Sequence, residues 1–409
     1  MEAVIANPRV RSPGLTGALV AFSAFVGIFA TTPGQTVGVS SFIDPIAADL
    51  GLAREHVLLL YSIGTFLGIL TAPMLGRLVD GFGPRRLIAP IVGALALACG
   101  VMSVAWNAWS LAAGFVLLRA AAIAGLSLVS NQMVNLWFDR FRGRIIALTL
   151  MGMAIGGLVV PPFAEGIIQS DGWRTAYLTL GAGVFAIMMP VGLALYRNRP
   201  ADRADRDFGR PGLSVSADVG DGLTLGEAAH TTVFWYLTAI TLLVNAVNTA
   251  LLLDHVRAMS AAGLDRSQAI ALLGAVTTMQ AVATLATGML VDRFGARPVG
   301  LLGLAMLAAS VLSVMLAPGL GGGLVYAVTL GAMIGMLQVV HSSGLAESFG
   351  TAHLGTIKGT TFVVGVSGAA AGPLPLLWSP TAAYWIFLGL TLCGGALGVL
   401  SLRERLSRV

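Results

Sequence analysis

The chain has 409 residues, of which 56% are hydrophobic and only 11% charged, where an ordinary soluble domain carries charge on roughly a quarter of its residues; a water-soluble globule is excluded and lipid is the expected solvent. The formal charge of +5 does not point to nucleic acid, because the basic residues stand singly between apolar blocks and form no patch. Lys358 is the sole lysine among 24 basic residues, which with the alanine and glycine load suggests a GC-rich bacterial genome.

Apolar blocks long enough to cross a ~30 Å hydrocarbon layer follow one another along the chain. The first is predicted over 15–42. It begins after Arg9 and Arg11 like a secretory signal but runs far beyond a signal's apolar core, so it reads as a membrane span. Within it Pro33-Gly34 breaks the helix, and Gln35, Thr36, Ser40 and Ser41 follow. Such a break frees backbone groups where a cavity would lie, which makes Gln35 a candidate ligand; a kink with small residues for close packing is the plainer reading.

Spans follow over 56–76, 87–106, 110–137, 145–168 and 175–196. In the fourth, Arg119 falls about nine residues in, near the midplane, where a charge is costly unless it meets a cavity or a partner. It is read either as a counter-ion or coupling group for a solute, or as a structural arginine satisfied by carbonyls. The fifth carries Gly152, Gly156, Gly157, Pro161 and Pro162, a pattern read as close packing through small faces. Glu165 at its end, like Asp254, His255 and Arg257 farther on, is expected to snorkel and pair locally.

Residues 197–229 form the only long polar stretch, in which arginines alternate with acidic residues. It reads as a solvated tether and divides the chain into an N-terminal bundle over 1–196, this linker, and a C-terminal bundle over 230–409. The second half offers spans over 231–254, 268–291, 299–317, 324–346, 357–378 and 382–402. Its polar candidates within the membrane are Asn245 and Asn248 on one helical face, Gln280, and His341 with Gln338; each is weighed as a solute contact against interhelical glue, and His341 also as a proton carrier.

Placing the N-terminus in the cytoplasm puts nineteen of the 24 basic residues on that side, with four opposite and Arg119 inside a span, so the positive-inside rule sets both termini in the cytoplasm. The sequence also repeats itself. Gly76-Arg77-Leu78-Val79-Asp80-Gly81-Phe82-Gly83-Pro84-Arg85-Arg86 follows span two, and Gly288-Met289-Leu290-Val291-Asp292-Arg293-Phe294-Gly295-Ala296-Arg297 follows span eight. Both have the form G-x-L-V-D-x-F-G-x-R, which argues for duplication and two pseudo-symmetric six-helix bundles.

This motif resembles the loop signature of the major facilitator superfamily, which falls between helices two and three and recurs between eight and nine. The resemblance covers the whole chain and implies an all-α membrane protein of twelve transmembrane helices. It further implies that Asp80 and Asp292, with Gly76, Gly83, Arg85, Arg86, Gly288, Gly295 and Arg297, form a conformational latch on the cytoplasmic face; Arg140, Arg142 and Arg144 are further partners. Charge-assisted bonds of this kind can be broken by a rocking of the bundles, and a tight turn whose arginines only set topology is the alternative. Thr32 to Phe42 and Asn131 to Phe138 are similar to the monocarboxylate and oxalate:formate branch. That branch has a substrate-binding arginine where Thr284 stands here, or a lysine deeper in span eleven than Lys358, and the chain departs from it at both places.

The implied function is secondary transport of a small organic anion drawn by Arg119, proton-coupled or by exchange, with export of a neutral or amphipathic metabolite or drug as the runner-up. Expected partners are a small-molecule substrate, protons and the bilayer, with the chain a monomer and no nucleic acid. No cofactor or metal is implied: G-x-x-x-x-G-K-[ST] is absent, and neither the five histidines nor Cys99 and Cys393 have ligand spacing. A membrane enzyme would need clustered catalytic residues at one interface, and none is visible. A sensor without flux differs from a transporter only in whether a solute moves.

Overall fold

A computed structural model describes residues 15–138, 142–198, 223–349 and 354–406, nearly all of them helical. Among the described residues, ten helices are long and apolar enough to cross a membrane. One of them, Leu148–Leu195, turns at Gly172 (φ 84°, ψ 166°) and so crosses twice, and the shorter apolar segment Val363–Leu377 supplies the last crossing. The twelve expected spans are therefore all present. Even span number puts both ends of the chain on one face, called here the terminal face; the other is the far face.

Span one differs from its expected bounds. It is three helices, Leu15–Ala30, Thr36–Ser40 and Ile43–Leu50, joined through a 3-10 turn at Thr32–Gly34. The sequence pattern closes the span at 42 because Asp44 and Asp49 interrupt the apolar run, yet the helix continues: Asp44 is paired with Arg54 at 2.7 Å and Asp49 with Arg174. Pairing removes the reason for the helix to end.

The two halves repeat one packing plan. Span one lies on five, two on four and three on six; in the second half seven lies on eleven, eight on ten and nine on twelve. Between halves, span one meets seven, two meets eleven and five meets eight. The five–eight crossing is tight. A side chain at Gly157 would come within 2.5 Å of Thr277, and one at Gly274 within 2.8 Å of Leu158, so the span-five glycines do serve close packing, with Gly152 and Gly156 against span one.

The repeated loop motif has the same backbone in both copies. Gly83 (φ 78°, ψ 160°) closes Ala72–Phe82 with its N–H on Val79 O, and Gly295 (φ 81°, ψ 163°) closes Arg266–Phe294 with its N–H on Val291 O. L-residues rarely adopt this conformation, which is why glycine stands at that motif position twice. Apolar side chains such as Leu97, Leu285 and Leu392 are left outward-facing, and Trp106, Trp109 and Trp378 stand exposed at the far face, as tryptophans do at a membrane–water boundary.

Candidate functional site

The break in span one builds the first half of the site. Gln35 leaves the helix at ψ 156°, so the carbonyl of Gly34 has no helical donor. Arg119 Nη1 donates to that oxygen at 2.8 Å, Arg119 Nε donates to Thr65 Oγ1 at 3.1 Å, and the guanidinium lies 5.0 Å from the Tyr61 ring centre. Tyr61 OH in turn bonds Thr36 Oγ1 at 2.9 Å, and Gln35 Nε2 donates to Thr31 Oγ1 at 3.1 Å. Spans two and four approach through Gly68, where an added Cβ would stand 2.7 Å from Arg119 Cβ. Just beyond Arg119 the helix widens into a π segment over Ala120–Ser127, a feature frequent at functional sites.

Arg119 is 3% exposed, and among the described residues no carboxylate lies within ion-pair distance of it. Its contacts are neutral oxygens and an aromatic face. They account for two of five guanidinium N–H groups and leave the positive charge uncompensated.

The second half contributes neutral groups. Asn245 Nδ2 donates to Thr241 O at 2.8 Å and lies against Gly365 of span eleven. Asn248 Oδ1 is buried with no hydrogen-bond donor among the described residues. His341 Nε2 and Thr361 Oγ1 are 3.1 Å apart, joining spans ten and eleven. Gln280 is half-buried, and its backbone lies against Gly331 and Gly335 of span ten. The described bonds of Gln35 and Arg119 stay within spans one, two and four, and those of Asn245 and His341 within spans seven, ten and eleven.

Asp80 and Asp292 have side chains outside the described residues, as do Arg140, Arg142 and Arg144. Arg85 and Arg86 are exposed on the terminal face. The Arg85 N–H donates to Asn198 Oδ1 at 3.1 Å, and Arg297 O accepts from Tyr236 OH at 3.3 Å. Side chains added at Gly76 or Gly288 would meet open space.

The carboxylates expected to snorkel do not. Glu165, Asp254 and His255 are buried. Asp254 accepts from Arg257 at 2.6 and 2.5 Å and from Tyr384 OH at 2.7 Å, and pairs with Arg54 of the other half at 3.0 Å. Glu165 receives Arg266 of the other half at 2.5 and 3.0 Å. His255 lies 2.7 Å from Ala269 O and 3.3 Å from Tyr326 OH. Of these ion pairs only Arg257–Asp254 is local, and Gln169 Nε2 adds a local neutral bond to Glu165 at 3.0 Å. The cause is geometric: an arginine opening a span of one half reaches a carboxylate buried in the other, and the pair excludes water that snorkelling would have sought.

Sequence intervals carry the signal that was missed. Arg54 and Arg266 are 212 positions apart, the interval that also separates Asp80 from Asp292, so they are equivalent residues of the repeat. Their second contacts repeat as well: Arg54 Nη2 donates to Leu253 O at 2.7 Å and Arg266 Nη2 to Ser41 O at 2.8 Å, and 41 and 253 are again 212 apart. The same interval maps Arg119 onto Gly331 and Gly68 onto Gln280. Glycine and bulky polar residue have exchanged helices between the halves.

A family model described as Major Facilitator Superfamily matches residues 17–373. Among curated proteins, the chain is 27% identical over 116 residues to the MFS-type transporter hasB of Aspergillus fumigatus, covering 28% of this chain and 26% of that protein. It is 27% identical over 196 residues to the MFS-type transporter opdF of Penicillium oxalicum, 44% of each. Against the Fujikurins efflux protein of Gibberella fujikuroi it is 27% identical over 152 residues, 35% of this chain and 32% of that one. In each case the match spans less than half of the relative. Among solved structures, a bacterial homolog to the human lysosomal transporter Spinster, in an inward-facing and unoccupied conformation, superposes with a TM-score of 0.72 at 17% identity, covering 97% of this chain and 99% of that one.

Proposed function

The chain belongs to the major facilitator superfamily, and from that premise we propose that it is a secondary transporter that moves a small organic anion, monocarboxylate-like, by alternating access. The observation that supports the anion is Arg119, a buried guanidinium midway along span four whose charge meets only neutral groups among the described residues. A cation held there without a counter-ion is costly, and an anionic solute would supply the missing charge while Gln35, Asn245, Asn248, Gln280 and His341 contact its neutral parts. Its free N–H groups suit a planar carboxylate.

In this reading the terminal face is cytoplasmic and the membrane is a bacterial plasma membrane, because nineteen of 24 basic residues fall on that face. Coupling runs through protons, with His341 the titratable group among the candidates, or through exchange of one anion for another. The loop motif after spans two and eight acts as the latch of the cytoplasmic face, Asp80 and Asp292 binding arginines when that face is closed. The chain works as a monomer bounded by two halves.

Export of a neutral or amphipathic metabolite is the second reading. It is favoured by Thr284 standing where the monocarboxylate branch has arginine, and by likeness to a relative named as an efflux protein. Proteoliposomes loaded with the purified protein separate the two. Counterflow of short mono- and dicarboxylates is expected in the wild type and is abolished in Arg119→Gln. The anion reading fails if no carboxylate moves while a neutral solute does, at the same rate in both proteins.

A further inference from the structure

Two arginines at equivalent repeat positions, Arg54 and Arg266, open spans two and eight at the far face and cross to the opposite half. Each donates to one backbone carbonyl and pairs with one buried carboxylate there. The carboxylates are not themselves equivalent, since Asp254 belongs to span seven and Glu165 to span five. From this we infer that the two clasps form the gate of the far face and that they do unequal work. Glu165–Arg266 biases the gate shut, whereas Arg54, held by both Asp254 and Asp44 in the shut state, is retained by Asp44 as the halves part.

The inequality follows from what each ion keeps on separation. Arg54 Nε already donates to Asp44 Oδ1 of its own half at 2.7 Å. Asp254 keeps both Arg257 bonds and the Tyr384 hydroxyl, all within its own half. Neither ion is stranded when they move apart, so this contact can be made and broken repeatedly. Glu165 keeps only the neutral Gln169 Nε2 at 3.0 Å. Arg266 keeps no carboxylate among the described residues, and its carbonyl contact, Ser41 O, also lies across the interface. Parting strands the 4%-exposed Glu165 carboxylate and leaves the partly exposed Arg266 guanidinium without a counter-ion, and removing the partner of a buried charge is the expensive way to break an ion pair. A ligand-free equilibrium between open and shut is therefore set mainly at Glu165–Arg266.

This rests on the transport reading only in requiring that the halves move, and it is tested without any solute. Spin labels are placed at Ser170→Cys and Ser260→Cys, exposed far-face sites in span five of the first half and at the end of span seven in the second, with Cys99 and Cys393 replaced by alanine. Distances are read by double electron–electron resonance in nanodiscs. The starting protein gives one dominant short distance. Arg266→Gln and Glu165→Gln each move most of the population to a longer distance, and the reversed pair Glu165→Arg with Arg266→Glu restores the short one. Arg54→Gln shifts only a minor fraction. Asp44→Asn added to Arg266→Gln lowers the long-distance population, because the open gate loses the carboxylate that retains Arg54. If the reversed pair fails to fold, the Asp44 comparison decides alone. An unchanged distance distribution in Arg266→Gln, or a larger open population on adding Asp44→Asn, overturns the proposal. Loss of transport with these shifts intact would instead count against the transport reading.

Discussion

Replacing Arg119 by methionine separates stability from function. The side chain is of similar length, so packing beneath Gly68 and over Tyr61 is largely kept, and the charge and its donors are removed. Loss of the two hydrogen bonds leaves Gly34 O and Thr65 Oγ1 unpaired, at about 1–3 kcal/mol for each group. Against this, an arginine at the centre of a spanning helix costs about 2.5–3.5 kcal/mol on insertion scales, and that burden disappears. The terms largely offset one another, so the variant is expected to unfold within about 3 kcal/mol of wild type. Its carboxylate transport, in contrast, is expected to be lost. The assay pairs thermal unfolding in detergent, followed by tryptophan fluorescence, with counterflow in proteoliposomes at matched folded protein. If methionine at 119 lowers stability by well over 3 kcal/mol while the folded remainder transports with an unaltered KM, then Arg119 is a structural clamp on the span-one break and the reasoning fails.

Gly157→Leu forces a side chain into Thr277 across the halves and is expected to cost about 1–3 kcal/mol by overpacking, seen as a lower unfolding temperature; Gly166→Leu, which meets open space, is the neutral control. Gly83→Ala and Gly295→Ala each place a Cβ at φ near +80° and should destabilise by about 1–3 kcal/mol through backbone strain. Gly81→Ala, in the last turn of the helix that Gly83 closes and without positive φ or neighbours, should change the unfolding midpoint little.

How much of this was legible differs by residue. The spans read directly because apolar length is a strong, local signal, and the duplicated motif gave the two-bundle plan. The glycines at 83 and 295 were legible as motif positions, and the structure supplies their backbone reason. Arg119 stood out as a charge in an apolar run. Its acceptor did not, because Gly34 O becomes free only through the local path of span one, 85 positions earlier. The carboxylates at 165 and 254 were misread since their partners lie 101 and 200 positions away in the other half. Hydropathy along the chain carries no information on such distant pairing; the repeat interval does, once the halves are superimposed on Asp80 and Asp292.

The exchange of Arg119 and Gly68 for Gly331 and Gln280 has a consequence for any redesign of the midplane. Steric room at each of these crossings belongs to the pair of helices jointly, so a long side chain is admitted on one strand of the pair only when the facing position is emptied. A second guanidinium at 331 would collide with the Val276 carbonyl, Met279 Cβ and the Gln280 backbone nitrogen. Mirror-image charge in the two halves is thus barred by volume, and ancestry from a duplicated unit has left one lobe cationic and the other neutral.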